Sequence, residues 1–368
     1  MEAEPQGIPF GYKDMRKLKN IMITGGAGFI GSNFIRFMFE KEDFCGSIVN
    51  IDKLSYAGNL ENLAGIEKEH GNKRYFFEKI DITKYGHVDK ALKKYKIDTV
   101  VHFAAESHVD RSIYGPKDFI YTNILGTFNL LEAVRHLWKE TGGKLFHHIS
   151  TDEVYGSLED GFFHEKTRYA PNSPYAASKA ASDHLVRAYH KTYDMPVTIS
   201  NCSNNYGPYQ FPEKMIPLII INALSGKKLP VYGRGLNVRD WLYVEDHCSG
   251  IWSILKKGKA GEVYNIGANN EWKNIDLVNF LCEKIAEIAG KSRDTYKKLI
   301  TYVRDRPGHD KRYAINSDKI KKELKWKPEY DFEEGIDKTI RWYIANKKWV
   351  EDIESGEYRK WLKQHYSQ

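Results

Sequence analysis

The sequence predicts an α/β protein built on a doubly wound parallel sheet, with a smaller mixed α/β lobe in its C-terminal part. Three observations carry this prediction. Short apolar runs alternate with longer helical patterns through the first two-thirds of the chain, which is typical of strand–helix–strand units. These apolar runs are nearly continuous, as expected for strands covered on both faces. A glycine-rich turn separates the first strand from the first helix, as in Rossmann-like folds.

The predicted elements follow in order along the chain. The candidate strands are Asn20–Thr24, Ser47–Ile51, Tyr75–Glu78, Thr99–Phe103, Leu145–Ser150 and Val197–Ser200. The candidate helices between them are Gly28–Phe39, Lys84–Tyr95, Phe119–Trp138 and Tyr175–Thr192. Right-handed crossovers would join these strands into one sheet.

The alternation ends after about Tyr206, where prolines punctuate a mixed region that closes with the helical pattern Phe332–Trp349. We therefore predict an N-terminal extension over residues 1–19 and a dinucleotide-binding Rossmann domain over 20–205. Residues 206–368 are predicted to form mainly a substrate-binding lobe, interleaved with the first domain. Such a lobe is expected at the carboxyl ends of the sheet strands, where ligands of these folds bind.

Composition excludes several classes of protein. The net charge of +7 is spread over helical lysines with no basic run of five, so nucleic-acid binding is not expected. The four cysteines have no Cys-x-x-Cys spacing, which argues against a cysteine-based metal site. No run approaches the ~18 apolar residues of a membrane span. The polar first residues lack the apolar core of a signal peptide, so we expect a cytoplasmic protein.

The glycine-rich turn predicts a dinucleotide site. Its glycines allow a tight turn and close approach of the backbone to a pyrophosphate, at the N-terminus of a helix. The context of strand, turn and helix supports this interpretation. The candidate cofactor residues of the turn are Gly25, Gly28, Phe29, Ile30 and Gly31.

Two acidic positions follow the second and third strands. Asp52 lies about twenty residues beyond the glycines, where a carboxylate accepts bonds from ribose hydroxyls and repels a 2′-phosphate. It favours NAD over NADP. Asp81 and Ile82 are candidates for contact with the adenine, and a plain helix cap is the alternative for Asp81.

A tyrosine and a lysine predict proton transfer at a sugar hydroxyl. Tyr175 and Lys179 are four residues apart and therefore share one face of a helix. An ammonium group nearby stabilises a phenolate, which can then accept the hydroxyl proton. Thr151, at the end of the fifth strand, is placed to hydrogen-bond the reacting hydroxyl.

Asp152 and Glu153 come directly after Thr151. Two acidic groups at the carboxyl ends of sheet strands can divide their roles, one as general acid and one as general base. On the residues alone, a capping aspartate and a solvated glutamate are the favoured alternative.

Longer motifs carry a resemblance to a known family. The runs STDEVYG, YAASKAASDH, AAESHVDRSI, NCSNNYGPYQFPEKMIP, NVRDWLYVEDH and RPGHDKRYAIN resemble the dTDP-glucose 4,6-dehydratases, which are extended short-chain dehydrogenases. The resemblance extends roughly from Asn20 to Trp342. It implies NAD as cofactor and dTDP-glucose as substrate, with oxidation at carbon 4, elimination across carbons 5 and 6, and hydride return to carbon 6.

The resemblance implies a role for each residue that matches the motifs. Tyr175 is the base at carbon 4, supported by Lys179 and Thr151, while Glu153 is the base at carbon 5 and Asp152 the acid at carbon 6. The residues implied around the nicotinamide half are Ala104, Ala105, Ser107 and Thr122. The residues implied to bind substrate are Ser107, Asn204, Lys214, Arg239, Asn274, Arg306 and His309. A local ion pair between Arg239 and Asp240 is the alternative for that arginine. Glu106, His108 and Arg111 either face the hexose or brace the pocket, and His147 and His148 are expected to be structural.

Other functions remain open at this point. The alternatives are a UDP- or CDP-glucose 4,6-dehydratase, a sugar-nucleotide 4-epimerase, and a non-catalytic NAD-binding protein. An epimerase needs the tyrosine and NAD but not the acidic pair. The resemblance also implies a homodimer formed by the helices predicted at Phe119–Trp138 and Tyr175–Thr192.

Overall fold

A computed structural model describes residues 16–40, 44–354 and 356 of the chain. The predicted N-terminal extension therefore lies outside the described residues up to residue 15. In chain order the strands are β1 Asn20–Thr24, β2 Ser47–Asp52, β3 Tyr75–Lys79, β4 Thr99–His102, β5 Leu145–Thr151, β6 Val197–Cys202, β7 Asn204–Tyr206, β8 Leu229–Tyr232, β9 Val238–Tyr243, β10 Val263–Ile266, β11 Glu271–Lys273 and β12 Ile300–Val303.

The main sheet has seven parallel strands in the order β10-β6-β5-β4-β1-β2-β3. The predicted doubly wound α/β class is confirmed, and all six predicted strands lie in this sheet with small differences at their ends. The seventh strand, β10, was not predicted. It comes from the C-terminal part of the chain and pairs with β6, so the two parts of the sequence share one sheet.

The helices are α1 Phe29–Glu40, α2 Ala64–His70, α3 Tyr85–Lys94, α4 Val109–Tyr114, α5 Lys117–Phe119, α6 Gly126–Leu137, α7 Pro174–Tyr193, α8 Met215–Leu224, α9 Val244–Lys257, α10 Asn274–Ile288, α11 Asp294–Lys297, α12 Asp318–Leu324, α13 Phe332–Ala345 and α14 Lys347–Glu354. Short 3₁₀ turns occur at Leu60–Leu63 and Asp152–Tyr155. Among the described residues, no helix is both long enough and apolar enough to cross a membrane.

Two predicted helices differ from those in the structure. The helix predicted at Phe119–Trp138 contains a π-helical turn, Ile120–Leu125, between α5 and α6. The pattern Phe332–Trp349 is two helices, because the chain leaves helical geometry at Asn346 (φ −112°, ψ 43°). The Asn346 side chain donates to the carbonyl of Trp342 at 2.8 Å and closes the end of α13.

Apolar residues alternate between the faces of the main sheet, as strand geometry requires. Ile21 and Ile23 of β1 belong to a core with α1, α9 and α12, while Met22 between them belongs to a core with α3, α6 and α7. A third core joins α8, α10 and α13 beside the small sheet β11-β9-β7. Because β7 follows β6 directly, this lobe begins at the carboxyl ends of the main strands.

Candidate active site

The glycine-rich turn between β1 and α1 lines a cleft of about 1110 Å³. Gly25 has φ +72°, and a Cβ there would lie 2.7 Å from the Cα of Ala104, so this position requires glycine. A Cβ on Gly28 would meet the Gly25 carbonyl oxygen at 3.3 Å, and Gly28 itself faces the cleft. The predicted cofactor residues that line this cleft are Gly25, Gly28, Phe29, Ile30, Gly31, Asp52, Ile82, Ala104, Ala105, Ser107 and Thr122.

Asp52 lies at the end of β2 and holds two loops together beside the cleft. Its carboxylate accepts hydrogen bonds from the backbone N–H of Ala27 at 3.1 Å and of Leu54 at 2.8 Å. Burial raises the pKa of Asp52. The Asp81 carboxylate accepts from the Thr83 N–H at 2.9 Å in the loop before α3, and Asp81 is not among the residues lining the cleft. Lys84 is the N-cap of α3, so Asp81 does not cap that helix.

The chemistry of the cleft fits a dinucleotide. A turn with little side-chain bulk leaves room for a pyrophosphate at the start of α1. The Asp52 carboxylate is an acceptor for ribose hydroxyls, and Ile80 and Ile82 add apolar surface. The described part of the chain contains no group of three or more histidine, cysteine or acidic side chains placed to hold a metal ion.

Helix α7 carries Tyr175 and Lys179, which are not among the residues lining this cleft, although Lys179 contacts its wall at Ile149. The helix begins here because the Ser173 hydroxyl accepts from the Ala176 N–H at 3.1 Å and Pro174 occupies the first turn. The Lys179 ammonium donates to the carbonyl of Ile149, a residue of the cleft wall, at 2.8 Å. Burial lowers the pKa of Lys179 to about 8, and the Asp183 charge opposes that shift.

The phenol of Tyr175 is strongly affected by its surroundings. Burial raises the pKa of Tyr175 well above 10, and the Glu153 carboxylate adds to this effect. The hydrogen bond with the Thr151 hydroxyl lowers that pKa. The Lys179 ammonium donates instead to Ile149, so among the described residues Thr151 is the hydrogen-bonding group that favours the phenolate.

Asp183 supports Lys179 and was not predicted as a site residue. Its carboxylate accepts from Ser150 at 2.8 Å and from Tyr169 at 2.9 Å, and it lies 3.3 Å from His148. Burial raises the pKa of Asp183 to about 6. The sequence could have identified Asp183, because Tyr175, Lys179 and Asp183 are spaced four apart and therefore lie on one helix face. His148 lies 3.3 Å from the Lys179 ammonium as well.

Thr151, Asp152 and Glu153 follow one another at the end of β5. The Thr151 hydroxyl accepts from the Glu153 N–H at 3.3 Å, so Thr151 rather than Asp152 caps the short 3₁₀ turn. Asp152 is only 2% exposed, and its Oδ2 atom has no hydrogen-bond partner within the described structure. Burial, followed by the Glu153 and Asp240 charges, raises the pKa of Asp152 well above its usual range.

A second cleft of about 1720 Å³ adjoins the first. All of the predicted substrate residues line it, together with Glu153: Ser107, Asn204, Lys214, Arg239, Asn274, Arg306 and His309. Burial raises the pKa of Glu153, and the positive charges of Arg306, Arg239 and Lys214 oppose that shift. Ser107, Gln210, Glu213 and Lys214 line both clefts, so the two are continuous.

The cations of the second cleft are held by contacts that sequence patterns did not predict. The Arg239 guanidinium lies over the Tyr313 ring at 4.2 Å and donates to the carbonyl of Asp310 at 2.9 Å. Asp240, the alternative partner, points away and accepts from the Asn270 N–H at 2.6 Å. Arg306 donates to Asp110 at 3.0 Å, while its buried Nε atom has no partner among the described residues.

Comparison with known proteins agrees with this geometry. A model of the GDP-mannose 4,6 dehydratase family matches residues 22–339. The dTDP-glucose 4,6-dehydratase of Shigella flexneri is 53% identical over 94% of this chain and 98% of its own length. The chain therefore belongs to the family of nucleotide-sugar 4,6-dehydratases that this model and this relative represent. A second family member, the dTDP-glucose 4,6-dehydratase of Neisseria meningitidis, is 51% identical over 93% of this chain and 98% of its own.

Solved structures of the family have the same fold. The dTDP-glucose 4,6-dehydratase of Bacillus anthracis, in complex with NAD, matches with a TM-score of 0.80 and 48% identity over 91% of this chain and 99% of its own. The enzyme of Streptomyces venezuelae, with NAD and dTDP bound, matches with a TM-score of 0.83 and 43% identity over the same shares. A UDP-glucose 4-epimerase of Thermotoga maritima, at 28% identity, has a TM-score of 0.78 and covers 89% of this chain and 99% of its own.

Proposed function

We propose that this protein is a dTDP-glucose 4,6-dehydratase, which converts dTDP-glucose into dTDP-4-keto-6-deoxyglucose and water with NAD as cofactor. The observation that carries the proposal is the acidic pair Asp152–Glu153, whose charges act on Tyr175 and of which Glu153 lines the second cleft. The two relatives described above, at 53% and 51% identity, are dTDP-glucose 4,6-dehydratases.

The proposed reaction begins with oxidation at carbon 4 of the hexose. Bound NAD supplies a hydride acceptor and a positive charge that favours a phenolate. Tyr175 takes the proton of the carbon 4 hydroxyl, and Thr151 orients that hydroxyl and lowers the pKa of Tyr175. Lys179, fixed by Ile149, keeps a positive charge in the buried site.

Elimination of water follows, because the new ketone acidifies the proton on carbon 5. Glu153 removes this proton, since burial raises its pKa and makes it a stronger base, while three cations favour its ionised form. Asp152 remains protonated because burial and the Glu153 charge raise its pKa, so it can protonate the departing carbon 6 hydroxyl. The hydride taken from carbon 4 then returns to carbon 6, and no net NADH is formed.

The positive charge of the second cleft supports a substrate that is bound through a nucleotide diphosphate group. The cations Lys214, Arg239 and Arg306 line it, together with His309, whose pKa burial lowers. Cations that already have fixed orientations are suited to phosphate oxygens. The proposed roles in cofactor and substrate binding are those predicted from the sequence, except that Asp81, which bonds the Thr83 N–H and is not among the residues lining the cofactor cleft, is not assigned to NAD.

The test is to incubate the purified protein with dTDP-glucose and to measure the product by mass and by the absorbance of the keto-sugar in alkali. UDP-glucose and CDP-glucose serve as controls for the nucleotide. We expect loss of one water from dTDP-glucose without net NADH. Glu153→Gln should abolish water loss while oxidation at carbon 4 still produces NADH. Epimerised hexose, or preference for another nucleotide, would replace this proposal with one of the alternatives.

We further propose a homodimer, a two-part organisation and a cytoplasmic location. The division at residues 205 and 206 is supported by one core on each side of it, although a third core joins α1 with α9 and α12 and β10 returns to the main sheet. The cytoplasm is where NAD and nucleotide sugars are available. Support for the dimer is an apolar patch on α6, α7 and the π-helical turn, formed by Ile120, Tyr121, Ile124, Leu125, Phe128 and Leu185.

A further inference from the structure

We propose that Tyr56, Arg111 and Glu213 form a latch over the cofactor cleft that keeps NAD bound between turnovers. The three side chains come from three separate segments: the loop after β2, helix α4 and the segment before α8. The proposal rests on the proposed function, because a dehydratase that regenerates its NAD in each cycle has no need to release it.

The three side chains contact one another directly. The guanidinium carbon of Arg111 lies 3.6 Å from the centre of the Tyr56 ring. The Glu213 carboxylate lies 3.6 Å from the Arg111 guanidinium and accepts a hydrogen bond from the Tyr56 hydroxyl. The Phe211 ring meets the Tyr56 ring edge-on at 5.4 Å, and His108 lies 3.7 Å from the Glu213 carboxylate.

The cluster lies between the cleft and solvent. Tyr56, Phe211 and Glu213 line the cofactor cleft, on which the glycine-rich turn also opens. Arg111 lines neither cleft, and its side chain is 47% exposed, so it covers the Tyr56 ring from outside. Glu213 also lines the substrate cleft, which places the latch at the boundary of the two ligands.

The contacts depend on one another. Burial and the Glu213 charge raise the pKa of Tyr56, so its hydroxyl stays protonated and donates. A cation over an aromatic face and a nearby carboxylate both hold Arg111 in place. To open the cleft at this point, the chain must separate the loop after β2 from α4 and from the segment before α8, and all three contacts break together. Arg111 thus fits the bracing alternative, whereas His108 lies 3.7 Å from Glu213 and also lines the substrate cleft.

The experiment measures the release of NAD from the purified holoenzyme. Excess alcohol dehydrogenase with ethanol traps released NAD⁺ as NADH, which is followed by its absorbance. We expect Arg111→Met to accelerate release about five- to tenfold, as loss of a partly exposed cation–aromatic contact implies. Tyr56→Phe, which keeps the ring and removes the bond to Glu213, should accelerate it less.

Arg312→Met is the matched control. Arg312 lies 5.5 Å from the Phe162 ring and 2.7 Å from Glu271, and it lines neither cleft. Its loss should leave NAD release unchanged. Equal acceleration by Arg111→Met and Arg312→Met would mean that general destabilisation, not a latch, governs release, and the proposal would be wrong.

Release from Arg111→Met within about twofold of the unchanged protein would also overturn the latch. If that variant does not fold, Tyr56→Phe decides, because its ring packing is retained. The assay contains no sugar nucleotide. The latch can therefore fail while the dehydratase function stands, and a protein inactive on dTDP-glucose can still show the latch.

Discussion

At the scale of single residues, the charges of Lys179 and Asp183 interact, because both side chains are buried on one face of α7. Burial lowers the pKa of Lys179 to about 8, and the Asp183 charge raises it against that effect. We expect Asp183→Asn to lower the pKa of Lys179 further. If a protonated Lys179 is needed for turnover, kcat is lost as pH rises through this pKa, so the alkaline limb of the pH–rate profile should move to lower pH. Ser150→Ala, which removes a bond to Asp183 but keeps its charge, is the control. An unmoved alkaline limb in Asp183→Asn would contradict the coupling.

Asp152 is expected to act only in the elimination step. Asparagine has the same shape but cannot protonate the departing hydroxyl, so Asp152→Asn should slow water loss by about 10²- to 10⁴-fold. Oxidation at carbon 4 should persist, and NADH should accumulate on the enzyme in a single turnover with dTDP-glucose. Water loss within about tenfold of the unchanged protein would show that another group supplies the proton.

Residue patterns predicted those parts of the site whose geometry is local. The spacing of Tyr175 and Lys179 on a helix, and of the glycines in a turn, follows from backbone geometry alone. Contacts between distant segments leave no such pattern. The packing of Arg239 on Tyr313 depends on the pairing of the lobe's segments, and neither partner reveals the other in sequence.

At the scale of elements, hydrophobic periodicity predicted the strands and most helices of the first two-thirds. It did not reveal the π-helical turn Ile120–Leu125, because an apolar stripe marks the buried face and not the number of residues in each turn. The π-helical turn connects neighbouring segments: its residue Asn123 accepts from the Glu106 N–H at 2.8 Å and donates to Ser178 at 2.8 Å. The break at Asn346 was missed for the same reason, since apolar residues continue on both sides of it.

The last described helix, α14, is connected to the glycine-rich turn. The Trp349 indole donates to the Asn62 side chain at 2.9 Å, and Asn62 donates to the carbonyl of Ala27 at 3.1 Å. We expect Trp349→Phe to lower the free energy of unfolding by about 1 kcal/mol and to weaken NAD binding several-fold. Thermal unfolding with and without NAD measures both effects.

Trp138→Phe is the control for this helix, because the Trp138 indole donates to the carbonyl of Ile97 at 2.9 Å away from the cleft. It should cost similar stability and leave NAD affinity unchanged. If NAD affinity in Trp349→Phe equals that of the unchanged protein, α14 stabilises the fold without positioning the glycine-rich turn.

At the scale of the whole molecule, the apolar patch is the surface that favours assembly. Tyr121, Leu125 and Phe128 are spaced at helical intervals and are 49%, 37% and 41% exposed. Large exposed apolar residues that cluster on one face are characteristic of interaction sites. A second copy is the partner proposed above, and a two-fold dimer would bury the same patch on both copies.

Leu125→Glu tests this assembly, because in a two-fold dimer the substitution introduces a carboxylate into the apolar contact twice. We expect a predominantly monomeric protein, with dimer affinity weakened at least about tenfold, as sedimentation velocity over a range of concentrations would measure. Leu236→Glu is the matched control, since Leu236 is 50% exposed and lies outside the patch. It should leave the assembly unchanged. A Leu125→Glu protein that sediments as the unchanged protein does would assign the contact to another surface, and a monomeric unchanged protein would rule out the dimer altogether.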